Sequence, residues 1–276
     1  MKKKILSTLL TCAMVTTLFY GCGKAGSTPP DTTTPDKSVS SIDGLIENGK
    51  IYIAVDDSQA PVCYRDEATN ELVGFDIDCM TAVGDYLGLD VEFVPTSFDS
   101  LIIGLTSQKY DLACAAIYVT EARAQQIDFA DSYYSMDEVI CVSKNNSEIT
   151  SSKDLPGKLV GVQSGAASID SLNSIDGFDS ADIREFSRVP DALLDINSGR
   201  IDCVVTESLF AAYYGKDLNV YYDEPLDSYP TAICVNKNCP EVLSKTNEAI
   251  AKLVEDGTFA EYSEKWFGRD IINYQK

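Results

Sequence analysis

Predicted strands and helices alternate along this chain in two successive series, and this pattern constrains the fold more than any other feature of the sequence. Short apolar runs predict strands at 51–55, 91–94, 110–116, 138–142, 159–162, 183–186, 201–205 and 232–235. Segments with helical spacing of apolar residues lie at 76–87, 98–106, 166–172, 191–197, 208–214, 241–255 and 258–267. Such alternation indicates parallel sheets covered by helices. Because the pattern restarts near residue 159, we expect an α/β fold of two lobes with a cleft between them.

The first 41 residues carry features of export rather than of a folded core. Three lysines precede an apolar run at 5–20, which ends at Gly21 and Cys22. This ending resembles a bacterial lipoprotein signal, which predicts a signal peptide over 1–21 and a lipid on Cys22. A short membrane helix left uncleaved, or a signal cut at another position, is the alternative. The stretch 22–41 is rich in Pro, Thr, Ser and Gly, and it predicts a flexible tether.

The charge of the chain restricts its partners. The sequence has 22 basic and 43 acidic side chains, and residues 1–21 hold three lysines and no acid, so their removal changes the net charge from −21 to −24. Such a surface disfavours nucleic acid and anionic lipid, both of which bind to cationic patches. No later apolar run approaches the roughly 20 residues of a membrane span, so the chain from residue 42 onward is expected to be globular.

Seven of the nine cysteines follow Cys22, and the sequence contains no histidine. An odd number without a CxxC pair fits neither a disulfide framework nor a zinc site. Four of the seven lie within apolar strand-like runs, where a thiol packs as a small hydrophobic group: Cys114, Cys141, Cys203 and Cys234. We therefore expect mostly reduced core cysteines, with one disulfide left open, and neither a metal nor a cofactor.

Arg123 is a candidate binding residue because of its position. The apolar run 112–119 ends at Thr120, which can cap a short helix, and Glu121 suits the first turn because a helix N-terminus attracts negative charge. Arg123 therefore follows the carboxyl end of a strand, where open α/β sheets bind ligands. Its guanidinium can bind a carboxylate through two hydrogen bonds. A surface arginine paired with Glu121 or Asp128 explains the spacing equally well.

Five segments, taken together and in order, carry a family resemblance. They read LVGFDID at 72–78, TEAR at 120–123, IDFA at 127–130, GRID at 199–202 and KWFG at 265–268. They resemble the bacterial extracellular solute-binding proteins of family 3, the polar amino-acid receptors of ABC transporters, from about Gly44 to Trp266. The resemblance implies a two-lobe periplasmic-binding-protein-like (type II) fold, with a hinge of two crossing strands and the ligand in the interlobe cleft.

The resemblance also implies roles for individual residues. Arg123 matches the arginine that binds the ligand's α-carboxylate. Glu207 matches an aspartate that binds the α-ammonium group, with one methylene more in this chain; a carboxylate that caps the helix from Ser208 is the alternative. Ala116 and Tyr118 match positions that offer a backbone carbonyl and usually a small hydroxyl group. Packing at the end of a strand is the alternative for Tyr118.

Further ligand contacts are implied on both sides of the cleft, namely Asp56, Gln59, Phe98, Gln163, Ala167 and Ser168. Gln59 stands where the family often has a stacking aromatic ring, and Ala167 where threonine is frequent. The loss of one stacking ring, together with the gain of Gln59 and Tyr118, favours a ligand with a polar side chain. Burial in the core of the first lobe is the alternative for Phe98, and a plain strand-to-helix turn is the alternative for the segment from Gln163 to Ser168.

By alignment with the family, the first lobe spans 42–134 plus 231–276 and the second lobe 135–230, with crossings near 134–136 and 229–231. We expect an exported, monomeric, non-enzymatic receptor, anchored by lipid to the outer face of the cell membrane. It would close on an L-amino acid and deliver it to the permease subunits of an ABC importer. The alternatives are an enzyme of the cyclohexadienyl dehydratase type, which the lack of histidine disfavours, and an amino-acid sensor module.

Overall fold

Two β-sheets flanked by helices organise the part of the protein that the computed structural model describes, residues 48–221, 226 and 228–275. The predicted signal peptide, the lipidation site Cys22 and the tether lie outside these residues. The strands are β1 Lys50–Val55, β2 Ser58–Gln59, β3 Cys63–Arg65, β4 Leu72–Val73, β5 Asp90–Pro95, β6 Leu112–Ala113, β7 Asp128–Phe129, β8 Ser132–Ser143, β9 Val160–Gln163, β10 Ile183–Phe186, β11 Cys203–Glu207, β12 Leu218–Tyr221, β13 Ser228–Thr231, β14 Cys234–Val235 and β15 Ile272–Gln275. The α-helices are α1 Phe75–Leu87, α2 Leu101–Thr106, α3 Glu121–Ala124, α4 Ser168–Asn173, α5 Val189–Asn197, α6 Ser208–Tyr214, α7 Pro240–Glu255 and α8 Thr258–Phe267.

The first sheet has the strand order β5-β1-β6-β14-β7 and forms the centre of the first lobe. Strand β1 pairs in parallel with β5 and β6, whereas β14 is antiparallel to both of its neighbours. Helix α1 packs on β5, α7 and α8. Its buried side chains Phe75, Met80 and Val83 share one hydrophobic core with Ile51 and Ile53 of β1, so burial of apolar area holds this layer to the sheet.

The second sheet forms the centre of the second lobe and has the order β10-β9-β11-β8-β12. Strand β8 also pairs with β13 and β15 through its first residues, so it takes part in both halves of the molecule. The two segments predicted to cross between the lobes pair with each other. Tyr229 lies opposite Met136, and Thr231 lies opposite Tyr134. The hinge is therefore an antiparallel pair of strands.

The expectation of parallel sheets is correct only for β5-β1-β6 and for β10-β9-β11. Strands β8 and β14 run antiparallel to their sheet neighbours. Parallel neighbours need a long crossover, usually a helix. By contrast, β8 follows β7 and β14 follows β13 after only two residues. No helical crossover separates either strand from the strand before it, so neither strand has to run parallel to its neighbours in the sheet.

Some local expectations differ from the structure, and some elements were not predicted. The predicted strand 110–116 is reduced to Leu112–Ala113, and the chain turns at Ala116, whose φ is 49°. The segment 98–106 starts as a 3₁₀ turn at Phe98–Ser100 before α2 begins. The small antiparallel sheet β2-β3-β4 and strand β15 were not predicted. The small sheet's strands contain only two or three residues, too few to show alternation of apolar and polar side chains.

Two of the motif segments hold each other in place. Gly74 precedes α1 with φ 140°, and a Cβ atom there would lie 2.2 Å from the Val62 carbonyl oxygen, so only glycine fits. One turn into α1, the Asp78 carboxylate accepts hydrogen bonds of 2.6 Å from Lys265 Nζ and Trp266 Nε1 of α8. The LVGFDID and KWFG segments therefore meet in space as a helix-to-helix contact.

All seven cysteines in the described part of the chain are buried, and none forms a disulfide bond there. Burial raises the pKa of each thiol, in the case of Cys141 to about 12. These thiols therefore pack as hydrophobic groups, as predicted. Within the described residues, none of the helices combines the length and apolar character that a bilayer crossing requires.

Candidate functional site

Arg123 lies in the cleft and joins the two lobes. Thr120 caps α3, because its side chain accepts a hydrogen bond from the Arg123 backbone N–H. The Arg123 guanidinium donates to the Tyr118 carbonyl at 2.9 Å and, across the cleft, to the Gly165 carbonyl at 3.0 Å. Arg123 is 8% exposed, whereas Asp128 pairs with Lys237. The interpretation of Arg123 as a surface arginine is therefore wrong.

Phe98 forms one wall beside Arg123. The guanidinium carbon of Arg123 lies 5.5 Å from the centre of the Phe98 ring, within the range of a cation–π interaction. Phe98 also packs in a core cluster with Leu101 and Leu105. A small cavity of about 50 Å³ lies between Phe98, Ile117, Arg123 and other residues of both lobes. The ring therefore packs in the core and also borders this cavity. A contact between Phe98 and the ligand stays a prediction.

Glu207 is a buried acid of the second lobe. It is the last residue of β11 and occupies the N-cap position of α6, but its side chain makes no capping hydrogen bond. Instead, Thr206 Oγ1 donates to Glu207 Oε2 at 2.9 Å. Burial raises the pKa of the Glu207 carboxyl group, and the positive charge of Arg123 acts against this rise. The carboxylate therefore belongs to the cleft rather than to the helix.

The backbone at Ala116 is held in the left-handed conformation, with a φ of 49°. Its N–H donates to Asp76 Oδ2 at 3.1 Å, and Asp76 also accepts a 2.8 Å hydrogen bond from the Tyr133 hydroxyl. Asp76 is 1% exposed, and burial raises the pKa of its carboxyl group. The sequence assigned Asp76 only to a helix start. The structure makes it the residue that positions the strand end before Tyr118.

Tyr118 combines a packed ring with a hydroxyl group in an acidic environment. The ring stacks on Tyr229 of the hinge, with centroids 4.8 Å apart and an interplanar angle of 26°. The side chain is 2% exposed, and its hydroxyl makes no hydrogen bond among the described residues. Burial raises the pKa of this hydroxyl, and the charges of Glu207 and Glu138 raise it further.

Asp56 and two glutamines form a second contact between the lobes. Gln163 Nε2 of the second lobe donates to Asp56 Oδ2 at 2.6 Å, and Gln59 Nε2 reaches Gln163 Oε1 at 3.4 Å. Asp56 also accepts hydrogen bonds from the backbone and side chain of Ser58. Burial raises the pKa of Asp56 against the effect of these donors. This polar contact lies on the same cleft as Arg123.

The loop before α4 completes the second-lobe wall. The helix begins at Ser168, two residues later than predicted, and Ala167 occupies its N-cap position. The Ser168 hydroxyl is buried and makes no hydrogen bond among the described residues. All ten predicted ligand-binding residues are at most 9% exposed. The ten residues come from elements of both lobes and all lie in the interior of the protein.

Two residues of the cleft were not predicted. Glu138 of β8 is 2% exposed and lies directly opposite Glu207 of β11. An acid at the start of an apolar strand was the available signal for it. Tyr214, at the end of α6, accepts a hydrogen bond from the Ala60 N–H and donates to the Ser58 carbonyl. No sequence pattern distinguishes this tyrosine from other helix residues. Among the residues described, histidine, cysteine, aspartate and glutamate form no cluster of three that could hold a metal.

The arrangement can hold a zwitterion, because a buried guanidinium and a buried carboxylate face one cleft from different lobes. The chain is also similar to several known proteins. The chain is 28% identical to the L-cystine-binding protein TcyA of Bacillus subtilis over 98% of this chain and 99% of TcyA. It is 29% identical to the arginine-binding extracellular protein ArtP of the same organism, over 97% and 98% of the two chains.

A solved structure gives the same result for the fold. The ancestral amino acid-binding protein AncCDT-1, a precursor of cyclohexadienyl dehydratase, matches with a TM-score of 0.76 and 32% identity, over 82% of this chain and 99% of AncCDT-1. These three similar proteins are all named as binding proteins. The family model described as bacterial extracellular solute-binding proteins, family 3, matches residues 51–269. The chain therefore belongs to the bacterial extracellular solute-binding proteins of family 3.

Proposed function

We propose that this chain is the amino-acid receptor of an ABC importer and that it binds the ligand between its two lobes. The observation that carries the proposal is the placement of Arg123 and Glu207. Each is at least nine-tenths buried, they come from different lobes, and the charge of Arg123 acts on the pKa of Glu207. Buried charges of opposite sign on one cleft suit a ligand that carries both an ammonium and a carboxylate group.

In this proposal, Arg123 binds the α-carboxylate and Glu207 binds the α-ammonium group, with the Ala116 carbonyl oxygen as a further acceptor. Phe98 packs over the ligand. Gln59, Gln163 and Asp56 face its side chain, and the loop at Ala167 and Ser168 closes the site from the second lobe. A ligand held by both lobes favours the closed arrangement by its differential affinity. Residues 42–134 with 231–276 then move relative to 135–230.

The proposal extends to the setting of the receptor. Membership of an extracellular family agrees with the export signal at 1–21. Lipid on Cys22 would keep a monomeric receptor at the outer face of the membrane, where the tether 22–41 lets it reach permease subunits. We further propose that the protein has no enzymatic activity, since its similar proteins are named for binding.

Isothermal titration calorimetry with the twenty common L-amino acids and L-cystine tests this proposal. We expect at least one to bind with micromolar or tighter affinity, and its D-enantiomer, the control, to bind far more weakly. Small-angle scattering with the same ligand should show a decrease in the radius of gyration on closure. Absence of binding by all of these compounds, or turnover of prephenate or arogenate, would contradict the proposal.

A further inference from the structure

A groove of about 490 Å³ lies between the lobes, separate from the residues that hold the amino acid in the proposed function. The first lobe contributes Tyr64 and Arg65 to its walls, and the second lobe contributes Arg188, Tyr213 and Tyr214. None of the ten candidate ligand-binding residues lines it. Its volume falls within the range of about 300–1,000 Å³ that small-molecule pockets occupy. Because both lobes form its walls, a molecule that fills this groove acts on their closure.

Aromatic rings line the groove on both of its sides. The centre of the Tyr64 ring in the first lobe lies 5.8 Å from that of Tyr213 in the second lobe, and 6.1 Å from that of Trp266. Tyr214 packs edge to face on Tyr213, with ring centres 5.0 Å apart. Tyr213 is 39% exposed, so it can bury further area against a ligand. A planar ring in the groove is therefore stabilised by contact with tyrosines of both lobes.

The charged side chains of the groove favour an anionic group on that ring. Arg65 binds Asp57 at 2.8 Å, so these two contribute no net charge. Arg188 is exposed, its side chain does not cap helix α5, and its charge acts against the raised pKa of the Tyr214 hydroxyl. With Glu67, the four charged groups sum to zero. The whole chain carries −21, so most of its surface repels anions, and this groove is an exception.

We propose that this groove is a second ligand site, which binds an aromatic carboxylate and thereby raises the affinity of the receptor for its amino acid. The ring of the ligand packs against Tyr64 and Tyr213, and its carboxylate accepts two hydrogen bonds from the Arg188 guanidinium. A ligand held by both lobes favours the closed arrangement, so each site raises the affinity of the other by the same factor. The proposal rests on the amino-acid receptor function above and adds its regulation from a separate site.

Three probes of nearly equal size test the site. They are phenylacetate, phenylacetamide, which lacks the charge, and cyclohexylacetate, which lacks the aromatic ring. We expect calorimetry on the full receptor to show submillimolar binding of phenylacetate, about tenfold weaker binding of phenylacetamide, and weaker binding of cyclohexylacetate. Saturating phenylacetate should lower the Kd of the amino acid at least about fivefold, and saturating amino acid should lower the Kd of phenylacetate by the same factor.

The Arg188→Gln variant distinguishes binding in this groove from binding elsewhere. It removes a charge at an exposed position outside the amino-acid cleft, so we expect an unchanged melting temperature and, without phenylacetate, an unchanged affinity for the amino acid. Phenylacetate should bind to this variant about tenfold more weakly and should no longer affect the amino acid at the same concentration. Arg184→Gln is the control, because Arg184 is an exposed arginine of the same lobe that does not line the groove, and it should retain both effects.

The outcomes distinguish the two proposals. Absence of phenylacetate binding, equal binding of phenylacetamide, or full phenylacetate binding in Arg188→Gln would overturn the second site and leave the receptor function intact. Competition between phenylacetate and the amino acid would also overturn it, as would phenylacetate binding that leaves the affinity for the amino acid unchanged. If no amino acid binds to the wild-type protein, the receptor function fails. Small-angle scattering then decides the second site alone, because phenylacetate should decrease the radius of gyration of the wild-type protein and not that of Arg188→Gln.

Discussion

The Tyr214 hydroxyl group of the second lobe donates a hydrogen bond to the Ser58 carbonyl oxygen of the first lobe, at 3.1 Å. The same hydroxyl accepts a 3.1 Å hydrogen bond from the Ala60 N–H. The Tyr214 side chain thus connects the lobes through two hydrogen bonds. These are separate from the contacts that Arg123 and Glu207 make. Tyr214 lies in the wall of a groove of about 490 Å³ between the lobes, together with Tyr213 and Arg188.

Replacement of Tyr214 by phenylalanine should weaken ligand binding without altering ligand preference. The closed arrangement loses two hydrogen bonds, each worth about 1 kcal/mol, so we expect an increase of about thirtyfold in Kd, mainly through faster dissociation. Stopped-flow and calorimetry measure the effect. Tyr86→Phe, which removes a hydroxyl that contacts Glu248 on the surface, serves as the control. An unchanged dissociation rate in Tyr214→Phe would show that this contact does not hold the lobes together.

Loss of Arg123 should abolish most of the affinity for any amino acid. Arg123→Ala leaves the ligand carboxylate and two backbone carbonyls without their donor, at a cost of at least about 2 kcal/mol. Arg123→Lys should not restore binding, because one ammonium cannot reproduce the two directed N–H groups of the guanidinium. Calorimetry compares both variants with Arg184→Ala, which changes an exposed arginine. Near-wild-type affinity in Arg123→Lys would contradict this geometry.

Asp76→Asn should destabilise the fold and also weaken binding. Asp76 accepts hydrogen bonds from Tyr133, Tyr134 and the Ala116 N–H in a fully buried environment. An amide nitrogen in place of one oxygen leaves a donor facing a donor, so we expect the free energy of unfolding to fall by about 2 kcal/mol. Urea denaturation measures the change, with Asp85→Asn on the exposed side of α1 as the control. Equal stability of the two variants would rule out a positioning role for Asp76.

Stability should fall as pH rises from mildly acidic to neutral values. Burial raises the folded-state pKa of Asp56, Asp76 and Glu207 above their ordinary values of 3.8, 3.8 and 4.5. Between the ordinary and the raised pKa, the folded state binds more protons than the unfolded state, so stability is greatest below this window and is lost as pH rises through it. Carboxyl groups with a lowered pKa, such as Asp154, act in the opposite direction below about pH 4.

Melting temperatures at about pH 5 and pH 7.5 test this dependence, in high salt so that repulsion within the acidic surface is screened. We expect the higher value at pH 5 without ligand. Glu207→Gln removes one of the three groups, so this variant should show a smaller difference between the two pH values. A melting temperature that rises from pH 5 to 7.5 would contradict the assignment of raised pKa values.

The thiols should be unreactive until the protein unfolds. A chain that starts after Cys22 has seven cysteines, all buried in the structure, with pKa values raised by burial. Because the thiolate is the reactive form, a disulfide reagent should modify them only slowly in native buffer. In denaturant without reductant, we expect seven thiols per chain. A titre of five would instead reveal a disulfide bond.

Local signals predicted local structure well. Gly88 ends α1 in the left-handed conformation with a φ of 70°, and Thr120 caps α3, because both features depend on residues adjacent in sequence. The family resemblance also identified Arg123 and Glu207, and the structure buries both side chains. Residues with the same role recur at the same positions within a family, so both residues could be identified without knowledge of how the chain packs.

Features that depend on tertiary contacts could not be predicted. The left-handed backbone at Ala116 is stabilised by a hydrogen bond to Asp76, forty residues earlier. The Glu138–Glu207 pair depends on the register between β8 and β11, which a pattern of apolar residues in each strand does not define. Tyr118 was ambiguous between packing and hydrogen bonding, because only the stack on Tyr229 fixes where its hydroxyl lies.

The shared strand β8 has a consequence for how the chain assembles during export. The strands of the second sheet from β8 to β12 come from one continuous stretch, 132–221, so this sheet can form as soon as that stretch has crossed the membrane. The first sheet requires β14, and the early residues of β8 also pair with β15 at Ile272–Gln275. Completion of the first lobe therefore requires residues that lie far along the chain from β1 and β6, so we expect it to follow formation of the second sheet.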